Sequence, residues 1–346
     1  MNKHFLWGAV GKSVMTLNRL AFPMKKDNGT IIRFDTSIGT ANMGDYIIMH
    51  YCNKILDELF PAYQSILIST HLMPTTEQEA TVKQTKYKFD CGSNLLTSNI
   101  EHHWRWILPD GVRQKMNFSN VILLGVGWGE YQENCTDYSR MIYRTMLNSN
   151  LLHSVRDQYT LEKLQQVGFK NVINTGCPTT WALTPDFCQA IPTKKSKDVV
   201  ATITDYRRDA EKDNEMLAIL SRNYEHVYLW LQGEHDEEYL QTLNVPENLT
   251  TIPANLEAYE EILKKGGVDY VGTRLHAGIH ALNHQIRSII IAVDNRATEM
   301  GRDVHLPVLQ RNDITDILEE KIHSDFATEI QIKMENIELF KAQFRR

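Results

Sequence analysis

The sequence is poor in the features that mark several protein classes. Cysteine is scarce, five in 346 residues. Cys52, Cys91, Cys135, Cys177 and Cys188 are odd in number and contain no C-x-x-C pair, so they make neither a disulfide framework nor a structural zinc site. A reducing cytoplasm is the compartment this usage implies. Long hydrophobic runs are missing as well. The stretch Phe5 to Val10 offers about six apolar residues before Lys12, short of the roughly 7 to 15 of a secretory signal core. No run approaches the roughly 18 apolar residues of a membrane span. Neither charge is in large excess: 37 basic against 43 acidic residues leave a net charge of −6, with both signs interspersed, which speaks against a nucleic-acid partner. An anionic small ligand stays open, because a few Arg focused in one cleft hold a phosphate on a protein that is acidic overall. With 10 Pro, 18 Gly and 42% hydrophobic residues, the chain is neither disordered nor collagenous.

Its length suggests roughly two domains, at about 150 residues each. Short β-branched runs alternate with amphipathic stretches, the pattern of an α/β protein with mostly parallel strands. Strands are expected at Ile31 to Asp35, Val121 to Val126, Leu152 to Arg156, Val199 to Thr204, His226 to Leu231, Leu249 to Pro253, Asp269 to Thr273 and Ser288 to Val293. After Met43, the apolar residues Ile48, Cys52, Ile55 and Leu59 follow helical spacing until Pro61 ends the pattern. A second helix starts at the cap Asn255 and stops at Gly266-Gly267. The stretch Thr184 to Lys197 turns polar and loop-like, so the domain boundary is placed there: residues 1–190 form one Rossmann-like domain and 191–346 a second, facing it across a cleft. Residues 1–30 are read as an N-terminal extension. Within it Phe5, Leu6, Trp7, Val10, Val14 and Leu17 suggest a helix that packs on the body of the protein, with a partner or membrane surface as its other use. Ala327 to Phe344 is read as a closing C-terminal helix.

Three stretches place glycine or polar residues directly after a strand, where open α/β sheets bind ligands. In the first, Thr36 to Asp45, Gly39 and Gly44 allow close backbone approach and Asn42 or Asp45 can cap the following helix; a plain turn with a cap explains the same residues. In the second, Gly125-Val126-Gly127-Trp128-Gly129, the spacing fails as a dinucleotide fingerprint, and close loop packing competes with ligand contact. The third is a pair: Arg156 ends one strand ahead of Asp157, and Arg274-Leu275-His276 follows another. Arg suits bidentate recognition of carboxylate or phosphate, and His exchanges a proton near neutral pH. On spacing alone, a surface salt bridge for Arg156 and a capping role for His276 remain the default. His276, His280 and His284 form an i, i+4, i+8 stripe whose ends lie about 12 Å apart, too far to share one ion. No metal site is expected.

Asn42-Met43-Gly44-Asp45, Gly92-Ser93-Asn94, Ser154-Val155-Arg156-Asp157, Gly176-Cys177-Pro178 and Arg274-Leu275-His276-Ala277, in that order, resemble the polysaccharide pyruvyl transferase family over about residues 31 to 310. Two positions depart from its pattern. Cys91-Gly92-Ser93 stands where the family tends to carry a richer glycine run, and Cys177-Pro178 where it commonly has Asp-Pro. The resemblance implies a glycosyltransferase-B-like fold and transfer of enolpyruvyl from phosphoenolpyruvate to a nucleotide- or lipid-linked sugar, giving a cyclic ketal during surface polysaccharide assembly. It implies that Arg156 and Arg274 bind the donor's phosphate and carboxylate and that His276 is the general acid or base. Asn42, Gly44 and Asp45, with Gly92, Asn94 and Gly127, are the substrate-binding candidates. No cofactor beyond the donor substrate is expected. The protein is expected in the cytoplasm, with the inner face of the membrane as a site of peripheral association. A nucleotide-sugar-dependent glycosyltransferase, or an inactive relative that binds an anionic sugar, would have the same architecture.

Overall fold

The computed structural model describes residues 25–102, 105–109 and 111–345; the helix expected within the first twenty residues lies outside them. The chain divides into two compact units. One holds Thr40 and the described residues before it, Ile48–Pro178, and the described residues from Lys333 onward. The other holds Ala41–Ile47 and Thr179–Ile332.

In the first unit, strands β1 (Thr30–Asp35), β2 (Gln64–Ser69), β3 (Tyr87–Cys91) and β4 (Val121–Leu124) form a parallel sheet in the order β2-β1-β3-β4. Two short strands, β5 (His153–Val155) and β6 (Val172–Asn174), pair in parallel. They extend the sheet beyond β4 through a bridge between Val126 and Val155 and a bond from the Gly125 amide to the Ser154 carbonyl (2.9 Å). His153 helps fix this junction. Its Nδ1 accepts from the Leu123 amide (3.1 Å) and its Nε2 lies 2.7 Å from the Asn148 carbonyl. Burial pushes its pKa down to about 4, so the ring is neutral at physiological pH and its Nε2–H donates to that carbonyl.

The C-terminal helix, Met334–Ala342, is shorter than the expected Ala327–Phe344 and belongs to this first unit. Phe344 just beyond it meets Phe60, Tyr87 and Phe89 at centroid distances of 5.5, 6.0 and 5.3 Å, and Asn336 donates to the Asn174 carbonyl (2.7 Å). The segment before the helix, residues 325–333, is irregular, with the Phe326 amide bonded to the Thr193 carbonyl and the Gln331 amide to the Val304 carbonyl. Residues 191–346 are therefore not a single unit.

In the second unit, β7 (Asp198–Thr202), β8 (Val227–Trp230), β9 (Leu249–Ile252), β10 (Val268–Gly272), β11 (Ser288–Ala292) and β12 (Val308–Gln310) form a parallel six-stranded sheet in the order β12-β11-β10-β7-β8-β9. Its central strands are buried apolar runs, as sheets covered on both faces require. The strand order reverses between β7 and β10. The crevice at such a switch point, outside the carboxyl ends of the strands, is where α/β sheets bind ligands.

Candidate active site

In the first unit the loops after β3, β4 and β5 converge on Arg156. It follows β5 directly, with its amide bonded to the Val126 carbonyl (3.2 Å). The side chain is buried, 1% exposed, so it is no surface ion pair. Nε donates to Asp157 Oδ2 (3.2 Å) and Nη2 donates to Asn94 Oδ1. Asp157 does a second task, since its Oδ1 caps the helix Gln158–Val167 by accepting from the Thr160 amide (2.7 Å).

Glycine makes this convergence possible. The β3 loop turns through Gly92 at φ 62 and Ser93 at φ 57, and a Cβ at Gly92 would lie 2.2 Å from Ile48 Cγ2. A Cβ at Gly127 would lie 2.3 Å from Arg156 Cζ. The Gly127 amide donates to the Ser93 carbonyl (2.8 Å), tying the two loops together. Gly125, at φ 65, faces Pro178, whose Cδ a Cβ would approach to 2.0 Å; here close loop packing accounts for the glycine. Asn94, Gly127 and Arg156 thus meet, while Gly92 shapes the turn that carries Asn94.

In the second unit, Arg274 leads from the end of β10 into the helix Leu275–Asn283. Its amide donates to Thr202 Oγ1 (3.1 Å), and its carbonyl accepts from the Tyr270 hydroxyl (2.7 Å). The side chain is 2% exposed. Nε donates to the Ile203 carbonyl (2.9 Å), and Nη2 donates to Asp205 Oδ1 (2.7 Å) and Asp236 Oδ1 (2.5 Å). Burial pushes the Asp236 carboxyl above its usual range despite Arg274. Asp205 is also raised by burial, but the charge and hydrogen bond of Arg274 outweigh this and hold it below. The two arginines share one arrangement: Nε and Nη2 are clamped, and neither Nη1 bonds to a described residue.

His276 lies in the first turn of that helix and is buried, 5% exposed. Gly278 lets the helix sit close against the sheet, since a Cβ there would come within 2.5 Å of Ile290. The Tyr259 hydroxyl donates to the Ala277 carbonyl (2.8 Å). The other two histidines of the stripe have different surroundings. His280 is buried with Nε2 3.4 Å from Glu260 Oε1, whereas His284 follows the helix end with Nδ1 2.9 Å from the His280 carbonyl. Among the described residues no group of three or more His, Cys, Asp or Glu side chains is placed to hold a metal ion.

Asn42, Gly44 and Asp45 group with the second unit. Asn42 Oδ1 accepts from the Gly44 amide (3.1 Å) and from Gln232 Nε2 (2.9 Å), and the Met43 amide donates to the Gln232 carbonyl (3.1 Å). Asn42 Nδ2 donates to Asp45 Oδ2 (3.3 Å). A Cβ at Gly44 would crowd Gln232 Nε2 at 2.9 Å. These residues therefore cap the helix Met43–Leu59 and also dock on the loop after β8.

Sequence reasoning missed Asp205, Tyr206, Gln232 and Asp236. Asp236 organises this end of the sheet: its carboxylate accepts from the amides of Asp205 (3.1 Å), Gln232 (3.0 Å) and Gly233 (2.7 Å) as well as from Arg274. The available signal was position, since each of the four closely follows an expected strand.

The sequence profile of the polysaccharide pyruvyl transferase family matches residues 42–295, more than half of the chain. The chain belongs to that family and is a transferase. Among curated proteins none matches its sequence. Among solved structures it is similar to the S. aureus MnaA–UDP co-structure, at TM-score 0.51 and 10% identity over 87% of this chain and 91% of that one. Two further likenesses are the E. coli heptosyltransferase WaaC with ADP (TM-score 0.37, 12% identity, 91% and 98% covered) and Arabidopsis thaliana UGT89C1 complexed with quercetin (TM-score 0.41, 11% identity, 91% and 92% covered). At 10% identity the likeness to the MnaA structure concerns the fold alone, a glycosyltransferase-B-like α/β fold with parallel sheets. Among the described residues no helix is long and apolar enough to cross a membrane.

For this pyruvyl transferase family member, Gly127→Ala is expected to displace the Arg156 guanidinium, because the added methyl occupies its place. A misplacement of about 1 Å can cost on the order of 10²-fold in rate. Steady-state kinetics of the variant checks this, and full activity would show that Arg156 tolerates the shift.

Proposed function

We propose that the protein transfers the enolpyruvyl group of phosphoenolpyruvate to a sugar and closes a pyruvate ketal. A sugar hydroxyl adds to C2 of the donor while a proton is delivered to the methylene carbon. A second hydroxyl of the same sugar then attacks C2, the bond from C2 to the phosphate oxygen breaks, and inorganic phosphate leaves with the hydroxyl's proton accepted by a base. Cations must hold the donor's phosphate and carboxylate, and one group must move a proton at C3.

The observation that carries this reading is the pair of buried arginines, Arg156 and Arg274, each clamped through Nε and Nη2. A pre-oriented guanidinium with one nitrogen to spare binds an anion with little loss of side-chain freedom. In this reading a guanidinium clamped in this way takes oxygens of the donor through its Nη1. His276, in the first turn of Leu275–Asn283, is the general acid and base. Asn94 and Asp157 position Arg156, and Asp205 and Asp236 position Arg274. Asn42, Gly44 and Asp45 shape the acceptor side.

Thermal denaturation separates this from a glycosyltransferase reading. At about 100 times the dissociation constant a ligand stabilises by about 2.7 kcal/mol, which for a chain of this size raises Tm by about 4 °C. Phosphoenolpyruvate is expected to give such a rise. A rise with UDP- or GDP-sugars and none with phosphoenolpyruvate would overturn the assignment.

A further inference from the structure

Tyr206 lies just past the carboxyl end of β7, in the 3₁₀ turn Asp205–Arg207. Half of its surface is exposed, 50%. A single exposed aromatic is ordinary on a protein surface; this one is held rigidly on every side of its turn. The Asp205 amide donates to Asp236 (3.1 Å), and the Asp205 carboxylate accepts from Arg274 (2.7 Å). The Asp205 carbonyl accepts from Arg208 Nε (3.0 Å), and the Arg207 carbonyl accepts from Arg311 Nη1 (2.6 Å). The phenol oxygen itself accepts from Arg296 Nη2, and Arg296 is in turn held by Asp294. The guanidinium carbons of Arg274 and Arg296 lie 5.0 and 5.7 Å from the ring centroid.

With the hydroxyl engaged by Arg296 and both guanidiniums over the ring, what Tyr206 offers to a ligand is the half of the ring surface they leave exposed. Two neighbouring guanidiniums disfavour a cationic ligand, and the electron-rich face of the ring disfavours an anion lying on it. A neutral ring with polarised C–H bonds on one face meets both conditions, which describes a pyranose. We infer that Tyr206 is the platform on which one sugar ring of the acceptor lies, C–H face to aromatic face, an assignment that rests on the transferase reading above. The rigid turn lowers the ordering cost of binding. Ketal closure also gains from such a platform, since it requires two hydroxyls of one ring to be presented in turn to the same carbon.

Saturation-transfer NMR on the full chain, with the methyl glycosides of galactose, glucose, mannose and N-acetylmannosamine as probes, tests the platform without turnover. The wild type is expected to saturate ring C–H protons of at least one probe. Tyr206→Ala should weaken that binding on the order of tenfold, and Tyr206→Trp and Tyr206→Phe should retain it. An unchanged circular-dichroism spectrum shows that Tyr206→Ala is folded, and Tyr206→Phe, which keeps the ring and loses the hydroxyl, separates the ring from its bond to Arg296. No saturation of any glycoside by the wild type, equal saturation by Tyr206→Ala, or a Tyr206-dependent signal from UMP in place of the glycosides would overturn the inference. If glycosides bind through Tyr206 but phosphoenolpyruvate releases no phosphate, the reaction is wrong and the platform stands. If phosphate is released and the acceptor KM is the same in Tyr206→Ala, the platform is wrong and the reaction stands.

Discussion

Replacing His276 with Gln is expected to lower kcat by about 10² to 10⁴, the usual contribution of a general acid or base, while Tm stays within a few degrees of wild type. Gln preserves much of the side-chain volume and can still hydrogen-bond in a position that is only 5% exposed, but it cannot carry a proton to the donor's methylene carbon. The stripe provides an internal control. His284 sits at the far end of the same helix, partly exposed, and His284→Gln should leave kcat unchanged. Equal losses in both variants would point to helix stability rather than proton transfer.

Arg274→Met should have the largest effect on stability. It leaves Asp205 and the fully buried Asp236 without the cation they share, and breaking a buried pair by removing one partner costs about 3 to 5 kcal/mol. In thermal terms this is a fall in Tm of about 4 to 7 °C. Because Asp236 also accepts from three backbone amides, the damage should spread to the loops that carry Gln232 and Tyr206. The companion variant Arg274→Met with Asp205→Asn removes one stranded charge and should recover part of the loss. Thermal and urea denaturation followed by circular dichroism measure both. A cost below about 1 kcal/mol, the range of exposed ion pairs, would mean that the buried cluster does not hold this end of the sheet together.

Much of the fold is legible in the residues. All eight expected strands exist, with ends displaced by one or two residues, because continuous β-branched runs such as Ser288–Ala292 announce buried parallel strands. Four strands escape notice, and one of them, β2, does carry a short apolar run, Ile66-Leu67-Ile68; the other three do not. β3, Tyr-Lys-Phe-Asp-Cys, has two ionisable residues inside the sheet. Lys88 is accommodated by donating to the Val82 carbonyl (3.2 Å), with burial pushing its pKa down to about 7. Asp90 has no hydrogen bond to its carboxylate oxygens from the described residues, and burial pushes its pKa well up. Burial of this kind is a tertiary effect that no local pattern announces. β6 and β12 are three residues each, too short for a period. The C-terminal helix is shorter than the sequence suggests because residues 325–333 are irregular, with the Phe326 and Gln331 amides bonded to the carbonyls of Thr193 and Val304 instead of to a helix.

The candidate site was legible where chemistry and position coincide in one residue, as for Arg156 and Arg274 at strand ends. It was hidden where a residue matters only through a distant partner. Asp236 is 38 positions from Arg274, and Gln232 is 190 positions from Asn42. Nothing near either in sequence indicates that they meet. The default reading of Arg156 as a surface ion pair fails for the same reason, since its burial depends on Asn94 and Gly127 from two other loops.

The central claim is that phosphoenolpyruvate is the donor and that the clamped Arg156 takes part in holding it. Phosphate release from phosphoenolpyruvate, followed together with the mass of the acceptor across a panel of sugar acceptors, tests this most directly. The wild type should release one phosphate for each pyruvate ketal formed, and Arg156→Met should release at least about 10²-fold less, as expected when a transition-state charge partner is removed. No phosphate released with any acceptor, or the same release from Arg156→Met as from the wild type, would contradict it.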